Sequence, residues 1–313
     1  SSATCLVCGS HITADEIQEQ GNKEGFGEKL VAIIYEVKGE TGKRYREVSK
    51  QDISIYESVH DEISKREITF PNDELPYLRS IFNVQIYGYD EWGKLFNNRQ
   101  GLGLSVFANI ICTSKFEMLS GRVTKDYADV IVTYLTMAFD RLVDQSATLV
   151  TWIYQIEAIS HVFTRQALGM IWDYAESNMF NDGGGGFASG IGWVIRTIKK
   201  TSQTADTSAI LHRGDAARLP YDNAKFDAVV TDPPYYDAVP YADLSDFFYV
   251  WMKQILGEIY PDIFATPLSP KSTEIVQIAE RNPKYAHKDK AFYEKQMTTS
   301  FSEMQRVSVS NGI

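Results

Sequence analysis

Hydrophobic and polar positions change period along this chain. At 30–37, LVAIIYEV is rich in β-forming residues, KGETGK supplies a turn, and RYREV at 44–48 returns, which predicts a hairpin. QDISIYESVHDEISKREI at 51–68 reads as a short helix, and PNDELPYLRS at 71–80 as a loop punctuated by Pro71 and Pro76. From Asn97 onward the period is helical. NNRQGLGLSVFANIICTSKF opens on an asparagine cap candidate. KDYADVIVTYLTMAFDRLVDQ places Tyr127, Val130, Ile131, Tyr134, Leu135, Ala138 and Leu142 on one helical face. VTWIYQIEAI and RQALGMIWDYAES extend the same reading, so residues 97–200 are expected to be mostly helical. The last third alternates. The apolar run AILHRGDA, a second run KFDAVVTDPPY, the helix ADLSDFFYVWMKQIL (Asp243 or Ser245 as cap) and the helix DKAFYEKQMTTSFSEMQRV follow α/β grammar. No strand follows that last helix, so the pattern reads as a sheet cut short.

Composition is that of a globular protein, 44% hydrophobic and 23% charged over 313 residues. The formal net charge of -10 argues against a protein that simply coats nucleic acid, though not against a local basic cleft. No apolar run reads as the roughly 20 residues that span a bilayer. Three cysteines are too few for a disulfide framework, which makes a reducing cytoplasm the expected compartment.

Cys5 and Cys8 form a CxxC followed by Gly9, like one knuckle of a zinc ribbon. A structural zinc site takes four ligands. His11 offers a third, and Cys112 sits apart in an apolar run, so a half-site completed from elsewhere is the expectation. The glycine cluster Gly183–Gly186 follows no strand and reads as a connection rather than a cofactor loop. Lys43, Arg44, Arg46 and Lys50 read as a solvated, charge-protected edge. Trp152, Trp172 and Trp193 are expected in the core.

The stretch TDPPYY at 231–236 carries the chemistry. A residue before proline is held extended, and each proline fixes its own φ, so Asp232-Pro233-Pro234 is a stiff bracket. It offers carbonyl acceptors without backbone donors at Pro233 and Pro234. The Asp232 carboxylate and the Pro233 carbonyl could together hold both hydrogens of an exocyclic amine, with the Tyr235 ring stacked on the base. Such a base must first leave its duplex. The plain alternative is a proline-rich turn. Tyr236, Asp237 and Tyr241 either shape the same pocket or pack the next helix.

DPPY after an apolar strand resembles motif IV of amino-methyltransferases that use S-adenosylmethionine, with Asp in the first position as in adenine-N6 enzymes. GDAARLP resembles the preceding family strand, which implies that Gly214, Asp215 and Ala216 meet the cofactor. CLVCGS, YGYDEWGKLFNNRQ, RQALGMIWDYAESNMF and TDPPYYDAVPYADLSDFFYVWMK together resemble zinc-ribbon adenine-specific DNA methylases over most of the chain. The resemblance implies a DNA adenine-N6 methyltransferase with Asp232, Pro233, Pro234 and Tyr235 as catalytic residues and DNA as partner. In that family the glycine-rich cofactor motif lies upstream of the ribbon. This chain contains no such motif, so the resemblance implies a C-terminal portion, without turnover on its own and completed by an upstream segment of the same protein. The expected architecture is α/β: a partial Rossmann-like sheet at 201–313, a largely helical insertion at 61–200, and a half zinc ribbon with β-hairpin at 1–60. An RNA base methyltransferase and a non-catalytic nucleic-acid-binding or scaffold module are the alternatives.

Overall fold

Side chains that satisfy the free amides at helix starts set most of the helix boundaries in this protein. The computed structural model describes residues 2–68, 70–204 and 207–312. A small antiparallel hairpin, β1 (Ala3–Thr4) and β2 (His11–Ile12), carries the CxxC turn. Thr13 and Glu16 then form a reciprocal capping box that opens α1 (Ala14–Glu24). The predicted hairpin follows as β3 (Ala32–Tyr35) paired with β4 (Arg44–Glu47). A second capping box, Ser49 with Asp52, opens α2 (Lys50–Glu57), and α3 (Val59–Arg66) continues after a break at Ser58. The basic residues of this edge are spent on neighbours: Lys43 pairs with Glu36, Arg44 with Glu40 and Arg46 with Asp52.

The core lies in the middle of the chain. Two short 3₁₀ turns, Asn83–Tyr87 and Trp92–Leu95, lead to α4 (Asn98–Ser120), opened by the capping box of Asn97 and Gln100. Thr124 caps α5 (Lys125–Asp144). Asp129 ties the two helices, its two oxygens each 2.7 Å from an ammonium, of Lys115 and Lys125. The buried face of α5 is Ala128, Val132, Thr136, Ala138, Phe139, Leu142 and Val143, so Ala138 and Leu142 of the predicted face are buried, while Tyr127, Val130 and Tyr134 are exposed. α4 is 23 residues long and, among the described residues, the one helix long and apolar enough to cross a bilayer by length and composition, contrary to expectation. Its Leu104, Phe107 and Ile111 pack into the core.

Residues 145–186 are not helical. Trp152–Ile153 (β5) and Ala158–Ile159 (β6) form an antiparallel hairpin, with Glu157 in the left-handed region at its turn. The segment 165–177 gives its backbone to tertiary partners: Leu168 N–H donates to Ile81 O at 2.7 Å and Ala175 N–H to Val150 O at 2.9 Å. Its 3.6-residue periodicity is thereby overridden. Trp172 and Trp193 are exposed and Trp152 half-buried, whereas Trp92 and Trp251 are fully buried. The glycine cluster makes a tight turn into α6 (Phe187–Thr201), with Gly186 at the cap, and no strand feeds it.

The mixture of helices and small sheets is compatible with the α/β expectation, and the last third is where the structure departs from the expected Rossmann-like sheet. α7 (Tyr241–Leu256) and α8 (Lys290–Val307) form as predicted. No Rossmann-like sheet is present among the described residues. AILH and DAVV are irregular, and Ile210, Leu211 and Val230 are 85%, 88% and 95% exposed. Parallel strands are stable when paired on both sides and covered on both faces. Here the pairing is one parallel bridge, Phe226 with Ser308, with Phe226 N–H donating to Val307 O and Val309 N–H to Phe226 O, both at 2.9 Å. The protein is therefore mixed helix and small antiparallel hairpins, its core built from α4, α5, α7 and residues 75–96.

α7 is the hub. Phe247 stacks on Phe96 with ring centroids 5.6 Å apart, and Trp251 meets Phe96 and Phe139 edge-on at 5.3 and 6.0 Å. The helix that anchors the core thus starts directly after the DPPYY loop.

Candidate functional site

Asp232, Pro233 and Pro234 form an irregular segment, with Asp232 and Pro233 exposed and Pro234 half-buried. The loop is then bound carbonyl by carbonyl. Pro234 O accepts from the Tyr293 hydroxyl of α8 at 2.9 Å and from the Tyr236 amide at 3.1 Å. Tyr235 O accepts from Ala238 N–H, Tyr236 O from Gln277 N–H at 2.9 Å, and Asp237 O from the Arg281 guanidinium at 2.9 Å. Tyr236 sits at φ 52°, a strained value for a tyrosine, and its ring meets Tyr293 edge-on at 4.9 Å. Such strain persists only where surrounding bonds over-determine it. These bonds supply that constraint.

Of the four predicted catalytic residues, Asp232 and Tyr235 are in contact. The Tyr235 hydroxyl donates to Asp232 Oδ1 at 3.2 Å, which pushes the phenol pKa up. The ring stays 55% exposed and meets Tyr241 edge-on at 6.4 Å. A carboxylate that accepts one phenol keeps lone pairs for an amine.

The predicted cofactor residues form an exposed turn of their own. Gly214, Asp215 and Ala216 are exposed, and Asp215 closes a local turn by accepting from Ala217 N–H at 2.9 Å. No hydrogen bond among the described residues joins that turn to the DPPYY loop. These residues do not make an enclosure that fits S-adenosylmethionine.

Cys5 and Cys8 lie on a knuckle turn, with Gly9 N–H donating to Cys5 O at 2.9 Å. The Ser10 hydroxyl, 3.1 Å from Cys8 Sγ, lowers the pKa of that thiol from its ordinary value. No group of three or more metal-ligating side chains occurs among the described residues. The two thiols alone do not satisfy tetrahedral zinc.

Pattern reading missed the support beneath the loop. Asp243 and Asp246, both in the first two turns of α7, are completely buried. Neither Asp243 nor Ser245 caps the helix: Pro240 is the cap residue, and Glu274 Oε1 accepts from Ala242 N–H at 2.8 Å instead. Asp243 accepts from the Tyr285 hydroxyl at 2.7 Å, and burial pushes its carboxyl up to about 6. Asp246 pairs with Lys271 at 2.6 Å and accepts from Ser269 N–H at 2.8 Å. Lys288, also buried, donates to Glu274 O at 3.1 Å. The available signal was two acids three residues apart within an otherwise apolar helix, DLSDFFYVW.

The chain matches no protein-family model, and neither a curated protein nor a solved structure matches it significantly.

Proposed function

We propose that this chain supplies the target-amine side of an S-adenosylmethionine-dependent DNA adenine-N6 methyltransferase. One observation carries the reading. The DPPYY loop is stiffened by two prolines and anchored from Pro234 to Asp237 by α8 and residues 277–281, while Asp232 stays at the surface beside an exposed tyrosine ring. In this reading Asp232 and the Pro233 carbonyl each accept one hydrogen of a flipped-out amine, and Tyr235 covers the base. The residues orient the amine and stabilise the positive charge that develops on its nitrogen, so positioning and electrostatics do the work. The methyl donor's enclosure must come from outside the residues described.

The test is transfer of labelled methyl groups to DNA by the polypeptide extended upstream through a cofactor-binding segment. Asp232→Ala is expected to lower the rate at least about a hundredfold, the scale of a lost transition-state contact. Full activity in that variant would remove Asp232 from the mechanism. Labelling of RNA alone would make the substrate RNA. A second reading, a nucleic-acid-binding module without catalysis, draws on the exposed Gly214–Ala216 turn, and labelling of neither polymer would favour it.

A further inference from the structure

A cavity of about 940 Å³ lies between the end of α1, α2, α3 and the chain at 70–72 and 87–99, and no residue of the DPPYY loop lines it. Sites for small organic molecules have volumes of this order. Its apolar wall consists of the rings of Phe26, Tyr56, Phe70, Tyr87 and Tyr89.

Its lining residues Glu28, Tyr56, Asn97 and Arg99 are tied together by a closed ring of interactions that runs through Tyr174 and Glu176, which do not line it. Glu28 accepts the Tyr174 hydroxyl at 2.9 Å on one oxygen and the Tyr56 hydroxyl on the other. Asn97, almost wholly buried, donates to the Tyr174 hydroxyl and to Glu176 Oε2, both at 2.9 Å. Glu176 Oε1 pairs with Arg99 Nε at 2.9 Å, and the Arg99 guanidinium lies 5.7 Å from the centroid of the Tyr56 ring. The circuit Glu28–Tyr174–Asn97–Glu176–Arg99–Tyr56 returns to its start. Burial pushes both phenols above their ordinary range, so they stay protonated. A cavity wall held this firmly is preorganised.

The charge at the wall narrows the ligand. Both cations that face the cavity are matched, Arg99 by Glu176 and Lys94 by Asp90. Glu28 and Glu91 add negative charge. A phosphate would meet two paired cations and two carboxylates. A flat ring without phosphate would meet aromatic faces and, at its edge, the Asn72 amide and the Asn98 side-chain carbonyl, the Asn98 NH2 lying 3.0 Å from His60 Nδ1. A side chain grown at Gly27 would meet nothing within 4 Å, so the mouth here is open.

We infer that this cavity binds a phosphate-free nitrogenous ring, a nucleobase, presented by a free nucleoside or by an unstacked nucleotide whose phosphates remain outside. The inference goes beyond the methyltransferase reading and does not depend on it.

The experiment is calorimetric titration of the chain with adenosine, AMP and a short single-stranded DNA. Adenosine is expected to bind, and AMP to bind no more tightly than adenosine. Tyr56→Ala and Gly27→Trp are each expected to lose about tenfold or more, the scale of one lost stacking contact. Loss of binding in Tyr56→Ala and Gly27→Trp, both at the cavity wall, assigns the binding to this site and separates it from the DPPYY loop. Thermal melting of each variant verifies folding. Competition by the DNA assigns the ring to a strand, and absence of competition assigns it to a free nucleoside; both support the site. Failure of both adenosine and DNA to bind at millimolar concentration overturns it. So does AMP binding more tightly than adenosine, or full binding by folded Gly27→Trp and Tyr56→Ala.

Discussion

At Asp243 a carboxyl sits with no exposed surface, one oxygen bonded to Tyr285 and the other to nothing. Its pKa rises from 3.8 to about 6, chiefly through burial, with Glu274 and Asp246 raising it and Tyr285 and Lys271 opposing. An acid whose folded pKa lies above its unfolded value binds more protons when folded between the two. Its contribution to stability is therefore largest at low pH, falls as pH rises from about 4 to about 6, and is flat above. The full shift is worth roughly 3 kcal/mol. Asp243→Asn keeps the oxygen that Tyr285 needs and removes the titration. Thermal melts at pH 4.5 and 7 are expected to show the variant gaining on the native chain as pH rises, by about 2 kcal/mol or more. An unchanged difference would mean that Asp243 stays charged in the fold.

Elements with local signals were legible in the chain. The capped start at Asn97 and the 30–48 hairpin each rest on contacts a few residues apart. What was not legible depends on distant partners. Leu168 and Ala175 leave a helical pattern because Ile81 and Val150 take their amides. Val229 and Val230 look like a buried strand, yet a strand is defined by its neighbours, and here one bridge to Ser308 is all that forms. The candidate site divides in the same way. DPPY announces itself by composition, whereas Tyr293, Gln277 and Arg281, which hold it, lie more than 40 residues away and carry no motif of their own. Close approach between elements is equally hidden. Gly88 has φ 89°, and a Cβ there would lie 2.3 Å from Gly21 O on α1. Gly88→Ala is expected to cost at least about 2 kcal/mol, through strain at that φ and separation of α1 from the 83–88 turn. Urea denaturation measures this, and a cost under half of that value would show that α1 is not seated there.

Over the whole molecule, stability is concentrated around α7. Trp251 is fully buried among Phe96 and Phe139, while Trp172, half-exposed, touches Phe26 and Tyr87 at their edges. Trp251→Ala is expected to lose about 3–5 kcal/mol. Trp172→Ala is expected to lose roughly 1 kcal/mol, the worth of its edge contacts. Equal losses in denaturant titration would contradict a core centred on α7. The same centring links the loop to global stability, because α7 begins where the DPPYY segment ends.

The two prolines also decide how that segment can be watched. Pro233 and Pro234 carry no amide hydrogen, so proton exchange cannot be followed at the bracket itself. The Gln277 amide, which donates to Tyr236 O at 2.9 Å, lies in a different part of the chain and exchanges when that bond opens. Its exchange rate is a clock, read from outside the loop, for the loop's motions, and a base that settled on Tyr235 would slow it.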